Sequence, residues 1–235
     1  MSSLIIPASL LCCLPMVQEA DSQQPGQMEV QVTVKMRYLI SLPDGYDKQE
    51  KWPLLLFLHG AGERGDDLNL VKKHGPPKLI AAGRKFPFIT VSPQCDKNKW
   101  WDARALNALV THIEKNHKVD ADRIYVTGLS MGGFGTFALA AESTRRFAAI
   151  APVCGGGEPI HAFRTHHIPT WVFHGGKDRV VPEARSKEMV DALKKRGAKN
   201  VLYTVYPDAG HDSWTKTYSN PKFYDWLLKQ RRSAK

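Results

Sequence analysis

Six short, nearly continuous apolar runs punctuate this chain: PLLLFLHG (53–60), FPFITVS (86–92), RIYVTG (123–128), AAIAPVC (148–154), PTWVFHG (169–175) and VLYTVYP (201–207). Runs of this length without polar alternation suit strands buried on both faces. Amphipathic stretches separate them at 103–117, 131–142, 182–196 and 221–230, with Asp, Ser or Pro near several starts and Gly197 just past one end. Those are the start and stop signals of helices. Strands alternating with helices predict an α/β fold, a mostly parallel sheet covered on both faces. EVQVTVKMRYLIS (29–41) alternates with period two and is expected to add antiparallel strand at the edge, one face wet.

In such sheets ligands bind beyond the carboxyl ends of the strands. The residues found there are rich in chemistry. HGAGERG, SPQCDKNKWW and GLSMGG follow the first three runs, and CGGG, HGGKD and PDAGHDSW follow the later ones. Gly, His, Asp, Ser and Trp thus converge on one rim.

RIYVTGLSMGGFGTFALA (123–140) carries the sharpest signal, a G-x-S-x-G motif set between a strand and a helix. This is the context of a nucleophile elbow, where strand and helix approach so closely that side chains at 128 and 132 would collide. Ser130 is expected at positive φ with its hydroxyl thrust into the open. The helix starting at Met131 would turn its amide hydrogens toward a developing oxyanion.

A serine hydroxyl needs a base, and the base needs an orienting acid. Of nine histidines, His211 in DAGHDSW is the best placed, because it follows the last strand in a glycine-containing loop. Asp178 in HGGKDRVVP follows the preceding strand and is preferred over Asp208 and Asp212, which lie too close in sequence to reach the far imidazole nitrogen. The order Ser, Asp, His is that of the elbow fold. The backbone N–H of Ala61, with Gly60 as second choice, is expected to complete the oxyanion hole alongside that of Met131. His59 and His174 read as braces. Trp100, Trp101 and Trp214 fall on the rim as candidate substrate contacts. His161, His166 and His167 share no ligand spacing with an acid or Cys, so no metal and no cofactor is expected. A histidine must be neutral to act as base, so activity is expected to rise through mildly acidic pH.

Composition bounds the remainder. At 235 residues the chain accommodates one full core, and 43% hydrophobic with 24% charged residues marks a globular protein. The net charge of +10 concentrates in KKRGAK (194–199) and KQRRSAK (229–235), read as solvated helix faces and a basic tail. No nucleic-acid motif accompanies it, so no nucleic-acid partner is expected. LIIPASLLCCLPMV (4–17) is apolar but too short to span a bilayer, and QEADSQQPGQ (18–27) resembles a linker. Residues 1–27 are therefore set apart as a signal-like segment that would send the protein to a secreted or periplasmic location. Residues 28–235 are expected to form a single catalytic domain. Cys95 and Cys154 lack metal-ligand spacing and read as ordinary buried thiols, with a disulfide between them as the alternative.

The chain resembles the α/β-hydrolase superfamily, and within it the small esterases of the carboxylesterase, feruloyl-esterase and polyhydroxybutyrate-depolymerase-like group. LPDGYD, WPLLLFLHGAGERG, SPQC, WWD, DRIYVTGLSMGGFGT, APVCGGG, WVFHGGKDRVVP and GHDSW carry the resemblance across residues 38–228. It implies a catalytic triad of Ser130, Asp178 and His211 and hydrolysis of a small-molecule or polymer-attached ester. Only CGGGEPIHAFRTHHI (154–168) stands where many relatives insert a helical cap, so no large cap domain and an open site are expected. That openness suits carbohydrate-linked acyl or feruloyl esters. A peptidase of prolyl-oligopeptidase type and a non-catalytic binding protein on the same scaffold are the alternatives.

Overall fold

The computed structural model describes residue 23 and residues 25–232. The signal-like segment and linker of residues 1–27, with Cys12 and Cys13, lie almost wholly outside the described residues. Two compact units are distinguished, Met1–Thr33 and Val34–Lys235. In the first, residues 25–33 are exposed and form neither helix nor strand. Among the described residues no helix is long and apolar enough to cross a membrane.

The second unit is built on seven strands, β1 (Tyr38–Ser41), β2 (Trp52–Leu58), β3 (Ile89–Pro93), β4 (Val119–Leu129), β5 (Ala149–Val153), β6 (Thr170–Gly175) and β7 (Val201–Tyr206). They lie in the order β1-β3-β2-β4-β5-β6-β7. All neighbours pair in parallel except β1, which runs antiparallel to β3 at the edge. Strands β2, β3 and β5 are buried along their whole length, as continuous apolar runs require.

Among the described residues seven helices flank the sheet: α1 (Gly75–Ala81), α2 (Ala103–Asn116), α3 (Met131–Glu142), α4 (Ala162–Thr165), α5 (Ala184–Lys195), α6 (Trp214–Ser219) and α7 (Pro221–Lys229). Asp102 caps α2 by accepting from the N–H groups of Arg104 and Ala105, and Asn220 caps α7 ahead of Pro221. Alternate residues of β2 serve opposite faces. Leu54, Leu56 and Leu58 join Leu106, Val110, Phe137 and Met189 of α2, α3 and α5. Leu55 and Phe57 join Tyr218, Phe223 and Leu227 of α6 and α7, with α1 alongside. The two-residue strand period thus assigns one helical layer to each face.

The edge strand is shorter than its alternation predicts. Of residues 29–41 only 38–41 form strand. Tyr38 pairs with Pro93, and the last bond beyond it runs from Gln94 N to Arg37 O. Cys95 N–H, the next amide along, faces the β2 side and donates to His59 Nε2 just past the end of that strand.

Between β5 and β6 the chain forms a 3-10 turn at Pro159–His161 and the four-residue α4, and no cap domain. The basic carboxyl end is partly tethered. Arg231 lies 3.1 Å from Asp120 and Arg232 lies 2.9 Å from Asp122.

Close approach of α3 to the sheet sets the geometry of the rim. A Cβ on Gly132 would stand 2.0 Å from Leu58 O, and one on Gly128 would stand 2.4 Å from Gly132 O. Neither position can relax, since the obstructing atoms are backbone. Gly132→Ala is expected to cost about 3 kcal/mol or more of stability; a chemical denaturation midpoint matching that of the parent would contradict the tight junction.

Candidate active site

The loops after five parallel strands meet above Ser130. Its φ of 52° and ψ of −117° place it in the strained turn between β4 and α3, without a side-chain cap bond to tie its hydroxyl down. Ser130 N–H donates to Val153 O at 2.9 Å, locking the turn to β5. Backbone held in this way lets a non-glycine residue keep a conformation that costs roughly 1–3 kcal/mol.

Ser130 Oγ lies 3.0 Å from His211 Nε2, and His211 Nδ1 lies 2.7 Å from Asp178 Oδ2. With Nδ1 facing a carboxylate, the imidazole hydrogen belongs on Nδ1, leaving the Nε2 lone pair to accept the serine proton. Asp178 Oδ1 accepts from the N–H groups of Val180 and Val181, both at 2.9 Å. Burial alone would push this carboxyl up. The bonds from His211 and the two amides outweigh it, holding Asp178 below the ordinary carboxylate range.

Three residues 33 to 81 positions apart are thus brought into one chain of hydrogen bonds. The loops after β6 and β7 are held together by backbone contact at Gly175, where a Cβ would meet Gly210 O at 2.1 Å. Lys177 N–H also donates to Ala209 O at 2.9 Å.

The two amides expected to face an oxyanion each open a helical turn. Met131 opens α3, and Ala61 opens a 3-10 turn over Ala61–Glu63. First-turn N–H groups have no acceptor within their own helix. Gly60 is packed more tightly, a Cβ there falling 2.8 Å from Leu129 Cδ1.

The remaining histidines of the rim act as braces. His59 is fully buried, accepts from Cys95 N–H at 3.0 Å through Nε2, and donates through Nδ1 to Gly60 O at 2.6 Å. Burial lowers its pKa to about 4. His174 is also fully buried, with Nε2 at 2.9 Å from Val181 O and 3.2 Å from Asp178 Oδ2. Both neighbours accept, so a hydrogen on Nε2 donates toward them, Asp178 Oδ2 being the same oxygen that faces His211.

The three tryptophans separate. Trp101 is buried beneath the rim, its Nε1 donating to His59 O at 3.1 Å and its ring 4.8 Å from His59. It therefore props up the loop carrying Ala61. Trp214 stands edge-on to His211 at 5.2 Å and to His74 at 5.3 Å. Trp100 is 65% exposed, its ring 6.1 Å from Phe134. His74 and its partner Glu63, 3.7 Å apart, were not anticipated from sequence. They come from separate loops, and nothing in their spacing announces the contact.

Cys95 and Cys154 are both free and buried. Cys154 sits at φ 40° just after β5, its sulfur within 4.8 Å of donor atoms of Asp178 and His211. Burial pushes this thiol up to about 12.

Seven strands in this order, helices on both faces and a serine on a strained strand-helix turn define an α/β-hydrolase. Residues 38–225 match the Dienelactone hydrolase family, and the chain belongs to that family; it is a hydrolase. A probable feruloyl esterase C of Aspergillus clavatus is 26% identical over 207 residues, covering 75% of each chain. Poly(3-hydroxyalkanoate) depolymerase C of Paucimonas lemoignei is 42% identical over 121 residues, 44% of this chain and 28% of that protein. Among solved structures, a thermostable esterase superposes with a TM-score of 0.72 at 34% identity. It matches 84% of this chain, which spans 60% of that one.

His59 supplies a test of the bracing around the site. An unfolded histidine takes up its proton near 6.5, the folded one only near 4, so between those values the unfolded state binds more protons. Unfolding free energy should fall by up to about 3 kcal/mol as pH drops through that window. Asp178, already held low, adds its own loss only below the ordinary carboxylate range. Chemical denaturation at pH 7 and pH ~4.5 should show this decline in the parent and a smaller one in His59→Gln; equal declines would refute the assignment.

Proposed function

We propose that the protein is a serine esterase that hydrolyses carboxylic esters through an acyl-enzyme. The observation that carries this reading is the continuous bond path from Ser130 Oγ through His211 to Asp178. His211 takes the Ser130 proton as Oγ attacks the ester carbonyl, and the N–H groups of Ala61 and Met131 receive the negative charge that develops on the carbonyl oxygen. Asp178 stabilises the imidazolium and holds the productive tautomer. His211 then returns its proton to the departing alcohol, and a water activated by the same imidazole releases the acid and regenerates Ser130.

The substrate class follows from access. With the 154–169 segment reduced to a turn and a four-residue helix, the rim stays open to an ester attached to a bulky or polymeric alcohol. Carbohydrate-linked acyl or feruloyl esters suit this opening, and the feruloyl esterase name of the Aspergillus relative supports the same choice. Asp208 and Asp212 have other partners. Asp208 binds Lys177 at 2.7 Å, and Asp212 accepts from Thr215.

Ser130→Ala is expected to lower kcat/KM on methyl ferulate and on p-nitrophenyl acetate by about a thousandfold or more, with the fold intact. A fluorophosphonate probe should label the parent at Ser130 and leave the variant unlabelled. Retained hydrolysis in Ser130→Ala would sink the mechanism.

A further inference from the structure

Two hydrogen bonds hold the His211 imidazole, Nδ1 to Asp178 at 2.7 Å and Nε2 to Ser130 at 3.0 Å. Bonds at two points fix an axis and leave the ring free to tip about it. Once Ser130 Oγ carries an acyl group it has no hydrogen to give, and the bond at Nε2 is lost. Asp178 then holds the ring at Nδ1 alone, at the stage where Nε2 must still meet a water. A packing contact against the ring matters most in that state.

Trp214 supplies that contact. Its ring stands at 90° to the imidazole with centroids 5.2 Å apart, within the range of an edge-to-face aromatic pair. The indole nitrogen is buried and makes no hydrogen bond among the described residues, so packing alone keeps the ring in place. Part of that packing comes from His74 at the start of α1, whose ring lies 5.3 Å from Trp214 at 61°. The indole thus meets two imidazoles, the candidate base and a histidine from a distant segment.

His74 is in turn held from the loop that bears Ala61. Its Nε2 lies 3.7 Å from Glu63 Oε1, and Glu63 closes the 3-10 turn that Ala61 opens. Glu63 is 6% exposed and its Oε2 has no hydrogen-bond partner; among the described residues His74 is the only basic side chain paired with it. A buried carboxylate with a single countercharge depends on keeping it. Gln94 Nε2 fixes the backbone beneath by donating to Glu63 O at 3.0 Å. The path Glu63, His74, Trp214 therefore runs from the Ala61 loop to the ring of His211 without passing through Ser130 or Asp178.

We propose that Glu63, His74 and Trp214 are positioning residues that keep the His211 imidazole aligned in the acyl-enzyme, when Ser130 no longer bonds it. Glu63 holds His74, His74 backs Trp214, and Trp214 limits tipping of the imidazole, so that Nε2 stays directed at the attacking water. That water gives a proton to Nε2 as its oxygen bonds the acyl carbon, and Ser130 Oγ departs and takes the proton back from His211. The acyl-enzyme step rests on the esterase reading above, whereas alignment of the ring precedes turnover.

His74→Ala alone would leave Glu63 buried without its partner, so it is combined with Glu63→Gln. On rapid mixing with p-nitrophenyl acetate, the initial burst of p-nitrophenolate reports acylation and the steady phase reports deacylation. Glu63→Gln/His74→Ala should slow the steady phase about tenfold or more and the burst by less than about threefold, so that kcat and KM fall together. Glu63→Gln/His74→Phe, which restores a ring against Trp214, should recover most of the steady rate. A steady phase within about twofold of the parent, a burst slowed as much as the steady phase, or no recovery with Phe would overturn the assignment. The low-field proton resonance of the bond between His211 and Asp178 reads alignment without turnover, and should broaden in the Ala variant and sharpen again in the Phe variant. If that pattern appears in a parent that cleaves no ester, the esterase reading fails and the alignment stands. If the parent turns over through Ser130 and neither variant departs from it, the alignment fails and the esterase reading stands.

Discussion

The approach of α3 to β2 and β4 is the contact on which the site depends. Gly128, Gly132 and the backbone of Leu58 occupy space that any side chain would need, and Ser130 is folded over them at φ 52°. A looser junction would let Ser130 relax into an ordinary helix start, where its hydroxyl would cap the first turn. Held in the strained turn, the hydroxyl faces His211 at 3.0 Å. One packing constraint thus sets the position of the serine oxygen relative to His211.

Around that junction the structure spends its buried polar groups on rigidity. His59, Trp101 and Cys95 are linked by two hydrogen bonds and a ring contact that fix the loop bearing Gly60 and Ala61. Val180 and Val181 hold Asp178 through Oδ1, while His174 and His211 meet its Oδ2. Buried groups with every hydrogen matched to an acceptor have few alternative arrangements. Positioning of this kind is what a reaction relying on preorganised dipoles requires.

Much of this was legible in the chain. The six apolar runs correspond to six strands, and the four amphipathic stretches to α2, α3, α5 and α7, because burial imposes a period that sequence records directly. Ser130, Asp178 and His211 stood out because each follows a strand at the same end of a parallel sheet. Short elements were not legible. α1, α4 and α6 are four to seven residues long, too short to display a helical period, and residues 29–37 alternate like a strand without becoming one.

The amino-acid sequence alone determined the α/β architecture, the glycine-framed corner and the order of the three polar residues around it, since hydrophobic period and backbone sterics act locally. Only the tertiary structure decided which tryptophan supports a loop and which faces solvent. It also decided that Trp101 reaches His59 and that Glu63 meets His74. Those outcomes depend on distances between segments far apart in the chain, which packing of the whole core sets and no local pattern encodes.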